Sequence, residues 1–331
     1  MTLPFTLYPL LLKNMLSILL TIFTFVELNC ENVFDTRHDS LKNDYEFCEG
    51  GTYHWDSKRY WRKLNNISKE IVSTGGEWQD WQAPDLVALV EVENDSVLFD
   101  LTQRSLLRTV GYKYIVTNSP DERGIDVALL YHPYSFAPDT SYSLRINPPE
   151  GFGPTRDILY VRGRMLGDSK NDELHVFVLH APSRRKGEKA SEPYRLAVAS
   201  RLCSSIDSIR AISPNANIFI TGDFNDYSDN RALLMLAEHS MVEVSKDAKG
   251  TNGALGTYRY RGEWGSLDHI FFSKSLLDNS KIDYCRIHDL PFLLEEDEKY
   301  GGVYPARTYK GRKYNYNGFS DHLPLVIRFE Y

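Results

Sequence analysis

Two periods of hydrophobicity alternate along this chain. From Lys58 to Ser73, the residues Tyr60, Leu64, Ile67 and Ile71 recur at helical spacing and share one face. "PDLVALVEV" (84–92) changes the period: a short apolar run after a proline reads as a buried strand. Helical spacing returns from about Ser96, with Leu98, Leu101, Leu106 and Val110 in series and Gly111 as the stop. "IDVALLY" (125–131), "DILYVRG" (157–163) and "ELHVFVLH" (173–180) are further strands. The stretch 191–212, "SEPYRLAVASRLCSSIDSIRAI", predicts a long helix with Ser191 as N-cap and Pro193 near its first turn. "NIFITGDFND" (217–226), a short helix near Asn230–Glu238, "SLDHIFFS" (266–273) and "LPLVIRFEY" (323–331) complete the series. Several strands follow one another with no helix between them. That order predicts α/β layers with mixed sheets rather than a doubly wound parallel sheet.

Polar residues collect at the ends of these apolar runs. "FVELNCENVFD", read as the first core strand, carries Asn29 and Glu31, two apart and so on one face. The strand at 84–92 reaches Glu91, with Glu93 two positions on. The strand at 173–180 ends in His180, and 217–226 ends in Asp223 and Asn225. Two others begin with polar pairs, Asp268 with His269 and Asp321 with His322. If those two run antiparallel to the rest, all of these groups meet on one rim. A single Asp or Asn after a strand is an ordinary turn former. Turn formation does not explain why six strands share the pattern. A carboxylate at Glu91, inside a run of Val, Ala and Leu, is expensive unless paired or bound to a cation.

Carboxylates and amide carbonyls are hard oxygen ligands, suited to Mg²⁺ or Mn²⁺. With His180 and His322 nearby, the fitting reaction is hydrolysis of a phosphate ester. Water needs a base, and the phosphoryl oxygens need positive charge. Competing motifs fail. "DFNDYSDN" opens like an EF-hand loop, but Tyr227 holds its fifth position, Ser228 replaces the glycine and Leu234 stands where a bidentate Glu belongs. There is no G-x-S-x-G, no Walker A loop and no H-E-x-x-H. "GFGPTR" (151–156) lacks the third glycine of a dinucleotide fingerprint.

Composition refines this reading only at its margins. The 331 residues can bury a large core unaided, and the net charge of −7 carries no strongly basic nucleic-acid footprint. A bound cation could still supply local positive charge for a phosphate. The four cysteines, Cys30, Cys48, Cys203 and Cys285, form no C-x-x-C pair and read as small buried hydrophobes. Residues 1–24 contain two apolar blocks around Lys13-Asn14, which resemble a signal sequence or anchor without an A-x-A-like cleavage site. This segment favours export or envelope association over a cytoplasmic location, and it is the one stretch expected to touch a membrane.

"ELNCENVFD", "PDLVALVEVEN", "RGIDVALLY", "VFVLHAPSR", "ITGDFND", "SLDHIFFS" and "FSDHLPLVI" occur in an order that resembles the endonuclease/exonuclease/phosphatase superfamily. That group includes deoxyribonuclease I, abasic-site endonucleases, inositol polyphosphate phosphatases and bacterial sphingomyelinases. The resemblance spans about Phe25 to Tyr331 and is greatest to the uncharacterised bacterial members. It implies a four-layer α/β/β/α sandwich, two mixed sheets face to face with helices outside, built as a single catalytic domain over 25–331. It also implies residue roles. Glu91 would be the principal metal carboxylate, Asn29 would hold the metal or its water, and Asp321 would lie at or beside that site. Glu31 sits where some members carry a second acid. Asp223 would orient or deprotonate the attacking water, and Asn225 would contact the phosphoryl group. His322, oriented by Asp268, would bind the phosphate, as would His180. His269 reads as structural, and Asp226 is assigned no chemistry.

Arg123, Arg184 and Arg185 are candidate clamps for substrate phosphate. Trp55, Trp61, Trp78 and Trp81 could line a groove or simply pack. The expected activity is metal-dependent phosphoester hydrolysis by a monomer. The substrate stays open among nucleic acid, a small phosphodiester, a phosphomonoester and a lipid or inositol phosphodiester. A non-catalytic envelope binding protein on the same fold is the alternative of another class.

Overall fold

The computed structural model describes residues 22–76, 81–167 and 173–331. The expected leader or anchor lies almost wholly outside them, and the first strand begins at Ile22. One six-stranded sheet contains β1 (Ile22–Val33), β2 (Leu86–Val92), β3 (Lys113–Val116), β4 (Asp126–Tyr131), β13 (Lys281–Ile287) and β18 (Leu325–Glu330), in the order β13-β18-β1-β2-β4-β3. The other contains β5 (Phe136–Leu144), β6 (Ile158–Met165), β7 (Glu173–His180), β8 (Asn217–Asp223), β9 (Met241–Glu243) and β12 (Asp268–Ser273), in the order β5-β6-β7-β8-β12-β9. Both sheets are mixed: β1 and β2 run parallel, as do β7 and β8, and the other pairs are antiparallel.

The strands alternate their side chains between two kinds of core. Phe25, Ala88, Val90 and Val127 meet Val176, Val178, Phe219 and Ile270 between the sheets. The Phe25 and Phe219 rings pack edge to face at 4.6 Å. The opposite side chains, Leu28, Val87 and Leu89, face helix α1 (Ser57–Ser73), whose Leu64, Ile67 and Ile71 are buried. Asp56 starts that helix by accepting a hydrogen bond from the Arg59 amide at 2.8 Å. On the far side, Phe177, Ile218 and Ile220 are covered by Val198, Leu202 and Ile206 of α3 (Glu188–Ile212). Four layers result: helix, sheet, sheet, helix.

Three local expectations change. The helical pattern after Ser96 forms α2 (Asp95–Phe99), a wide turn at Asp100–Arg104 and a tight turn at Leu106–Thr109. Ser105 interrupts it with extended backbone and uses its side chain to accept from the Leu107 amide. The long helix starts at Glu188, not Ser191; Ser191 lies one turn inside and donates to the Gly187 carbonyl at 2.8 Å. Strands β3, β5, β9 and β13 were not expected. Three hairpins, β10 (Tyr258–Tyr260) with β11 (Glu263–Gly265), β14 (Leu294–Glu296) with β15 (Val303–Pro305), and β16 (Tyr309–Lys310) with β17 (Lys313–Tyr314), stand on the loops. Helices α4 (Arg231–Glu238) and α5 (Lys274–Asp278) complete the fold.

Candidate active site

Antiparallel pairing brings the strand ends together. Asp268, the first residue of β12, pairs directly with Asp223, the last of β8. His180, the last residue of β7, stands beside Asp223 in the parallel register. In the other sheet β18 runs antiparallel to β1, so the segment before it, carrying Asp321 and His322, reaches the end of β1 that carries Asn29. Ser320 closes this junction by donating to the Asn29 carbonyl at 2.5 Å.

Strict alternation would bury Glu91 on the helix side with Val87 and Leu89. Instead β2 is bulged there: Val90 pairs with Val127 and Val92 with Asp126, so Glu91 has no partner. Val92 takes the buried position, and Glu91, at φ +62°, turns its carboxylate to the rim. Glu31, Asn32 and Asn225 also have left-handed backbone, at φ +48°, +57° and +50°. Each such residue costs about 1–3 kcal/mol of strain, a cost that concentrates where function requires an unusual side-chain direction. The same twist separates Asn29 from Glu31, and Glu91 from Glu93. These pairs therefore do not share a face as their spacing suggested.

Asp223 is the hub. Its Oδ2 accepts from Asn29 Nδ2 at 3.1 Å and its Oδ1 from the Asn225 amide at 2.8 Å. His180 Nε2 lies 3.7 Å from both Asp223 Oδ2 and Glu91 Oε1. Glu91 Oε2 accepts from the Asn32 amide at 2.9 Å, and its Oε1 makes no hydrogen bond among the described residues. Asn225 is anchored by donating to the Ala181 carbonyl at 3.1 Å. His322 Nδ1 is 2.6 Å from Asp268 Oδ2, which Thr257 also contacts. Tyr258 lies over His322, with ring centroids 4.9 Å apart.

These contacts set the charges. Burial, followed by the nearby Asp268 charge, raises the Asp223 carboxyl to about 7. Burial alone would neutralise His322, but Asp268 and the other neighbouring carboxylates outweigh it and hold the imidazole protonated, well above its usual pKa. His180 goes the other way: burial, then Arg156 and Arg123, push it well down, so it stays neutral. The site thus holds a carboxylate poised near neutrality, a cationic imidazole and a neutral imidazole.

A cavity of about 960 Å³ opens onto this rim, lined among others by Asn29, Glu91, Arg123, His180, Arg184, Arg185, Asp223, Asn225, Asp321 and His322. Asp268 sits behind His322. Two expected residues stand apart. Glu31 does not line the cavity; its carboxylate accepts from the Thr308 amide at 2.5 Å. Asp321 faces the cavity but is paired with Arg307 at 3.1 Å. The described tryptophans do not line it: Trp55 is fully buried and donates to the Phe34 carbonyl at 2.8 Å. Trp78 lies outside the described residues. His269 bridges Glu243 and the Asp226 carbonyl, at 2.7 and 2.9 Å, a structural role. Asp226 points away and pairs with buried Arg195 at 2.7 Å.

The cavity also contains groups that sequence reasoning passed over: Asn32, Arg156, and the tyrosines Tyr227, Tyr258 and Tyr260. No sequence signal marks the tyrosines, because loop folding alone brings them there. Glu27 was legible and missed. It interrupts the apolar run "FVELNC" as Glu91 interrupts its own. It is fully buried, and burial, with Asp268 and Asp223 close by, holds its carboxyl well above the usual range. A carboxyl pushed towards its protonated form therefore lies beneath the charged cluster.

Comparisons with known proteins agree with this architecture. An endonuclease/exonuclease/phosphatase family protein from Bacteroides thetaiotaomicron is 15% identical, with 93% of this chain and 95% of that one covered at a TM-score of 0.59. A mannosyl-6-phosphatase from Bacteroides thetaiotaomicron VPI-5482 is 16% identical, with 93% and 100% covered and a TM-score of 0.59. The human Nocturnin catalytic domain with a bound sulfate anion is 18% identical, with 93% and 94% covered and a TM-score of 0.57. At these identities the likeness shows the fold. No curated protein matches the sequence. The model of the Endonuclease/Exonuclease/phosphatase family matches residues 24–331. With nearly all of its length matched, the chain belongs to the endonuclease/exonuclease/phosphatase family, whose members are hydrolases of phosphoester bonds.

Proposed function

We propose that this protein is a divalent-metal-dependent phosphoesterase in which Asp223 activates the attacking water. One observation carries the reading. Asp223, held by Asn29 and Asn225, shares a single cavity with the Glu91 carboxylate and with a His322 imidazole kept cationic by Asp268. With a carboxyl raised to about 7, Asp223 can take a proton near neutral pH. His322 donates to a phosphoryl oxygen and offsets the charge that develops there. Asn225 keeps its amide group beside that oxygen. Neutral His180 can donate a hydrogen bond without competing for the base's proton.

The donor set fits a hard cation. Glu91 presents an unbonded oxygen from a strained bulge, and Asn29 adds an amide beside it. A single carboxylate, an amide and retained waters form a normal Mg²⁺ or Mn²⁺ environment. Glu91 and Asn29 would hold the ion, with Asp321 as an outer carboxylate beyond them. When bound, it supplies Lewis-acid charge to the phosphoryl group. Glu31, tied to the Thr308 amide, would support this cluster from behind.

The substrate reading is a phosphodiester, with a phosphomonoester as the second possibility because one structural neighbour is a mannosyl-6-phosphatase. The purified protein should be assayed on plasmid DNA, abasic-site duplex, RNA, bis-p-nitrophenyl phosphate, p-nitrophenyl phosphate and sphingomyelin, each with Mg²⁺, Mn²⁺ or chelator. At least one should be cleaved, and only with metal. Cleavage of none, or cleavage that survives chelation, would overturn the reading.

A further inference from the structure

The loop between β1 and α1, residues 34–56, gathers a second set of ligand-type side chains, none of which lines the catalytic cavity. His38, Asp44 and Cys48 each bring one donor atom, and the three donors lie within 4.8 Å of one another. Local folding makes this cluster. Asp44 and Cys48 flank the single helical turn Tyr45–Phe47, which carries the chain round until the Cys48 thiol meets the Asp44 carbonyl at 3.9 Å. An aspartate at such an N-cap normally accepts from the amides of its turn. Asp44 does not cap this one. Its Oδ1 meets His38 Nδ1, and its Oδ2 accepts from the Asp39 amide at 2.8 Å. The His38 ring stacks on Tyr45 with centroids 3.8 Å apart, which fixes its plane. Asp44 is buried, and Cys48 is half-buried.

The surroundings call for positive charge. Burial, and then the Asp44, Glu93 and Asp35 charges, raise the Cys48 thiol, so the sulfur sits in a negative field that a metal ion would reverse. Of the loop's two long cationic side chains, Arg37 lines a separate cavity, and Lys42 donates to the Ser119 and Asp121 carbonyls at 2.7 and 3.0 Å. An imidazole, a carboxylate and a thiol together are the donor set of zinc rather than of Mg²⁺, which takes oxygen alone. Zinc holds such donors at about 2.0–2.3 Å, so they stand about 3–4 Å apart, the scale of this cluster. We propose that His38 Nδ1, Asp44 Oδ1 and Cys48 Sγ form a zinc site, with water as the fourth ligand. Binding releases the thiol proton of Cys48 to solvent, and His38 ligates as a neutral ring with its proton on Nε2. The ion would clip a long loop that has no strand of its own. That loop in turn braces the cavity edge, because the Asn43 amide donates to the Glu122 carbonyl at 2.7 Å, one residue before Arg123. The site does not depend on the phosphoesterase reading.

Cobalt(II) takes zinc's place and reports a bound thiolate by near-ultraviolet charge-transfer absorption. It tests the site without turnover, on the full chain stripped of metal with a chelating resin. Cobalt should raise that absorption in the wild type, and added Zn²⁺ should abolish it. Cys48→Ser should lose the absorption, whereas Cys285→Ser, at the other half-buried cysteine, should keep it. Glu91→Gln should keep it too, which separates this site from the catalytic cavity. His38→Ala should weaken zinc binding, measured by competition with a chromophoric chelator, by about tenfold or more, since loss of a supporting partner alone costs that much. Zn²⁺ should raise the thermal midpoint of the wild type and not that of Cys48→Ser. No charge-transfer absorption in the wild type would overturn the site, whatever the variants do. So would absorption that survives Cys48→Ser or is lost in Glu91→Gln, or zinc affinity unchanged by His38→Ala.

Discussion

At the scale of single residues, chemistry follows from who neighbours whom. Asp223 and Asp268 are both buried carboxylates, yet their tasks diverge because only Asp268 lies against His322, at 2.6 Å. That contact, rather than exposure, keeps His322 cationic. Asp268→Asn should therefore lower the His322 pKa and move the alkaline limb of the pH–rate profile to lower pH. An imidazole titration by NMR checks it directly, and an unchanged His322 pKa would contradict the assignment. Most of these residues were legible as strand-end polar groups. Glu31 was misplaced because two successive left-handed residues, Glu31 and Asn32, break the alternation from which its direction was read. The tyrosines of the cavity were illegible, since nothing in a loop's composition says which way it folds.

At the scale of elements, the bulge in β2 and the turn after β8 do the positioning. The β8 turn is clamped by the Arg195–Asp226 pair between α3 and the loop, with both side chains almost fully buried. Removing one partner of a buried pair leaves the other charge uncompensated, at about 3–5 kcal/mol. Asp226→Asn should lose stability of that order in urea denaturation; a change within error would show that the pair holds nothing. Long periodic segments such as α1 were readable from spacing alone. The pattern after Ser96 misled because Leu98, Leu101 and Leu106 are compatible with any tight helical winding, and Ser105 caps a new turn instead of continuing the old one. Strand β5 was hidden because it is an edge strand with Pro138 and a run of exposed residues, so neither face shows the apolar alternation.

At the scale of the whole molecule, two mixed sheets bring six strand ends to one rim and store unfavourable carboxyl burial nearby. Burial is the main cause that raises Glu70 to about 8 and Glu93 to about 8. Both acids hold protons in the folded state that the unfolded chain would release above its ordinary carboxylate pKa. Their contribution is fully present below about pH 4.5 and is lost as pH rises towards 8. The thermal midpoint should fall over that window, and Glu70→Gln should make the fall shallower. A Glu70→Gln profile as steep as the wild type would refute this.

In the proposed mechanism Asp223 and His322 act together on a phosphoester. Its most direct test is turnover by purified Asp223→Ala and His322→Ala, each first shown to be folded by circular dichroism, on whichever phosphoester the wild type cleaves with Mg²⁺ or Mn²⁺. Each variant should fall by about a hundredfold to ten-thousandfold, the usual contribution of a positioned acid or base. Near-normal turnover in either would contradict the mechanism.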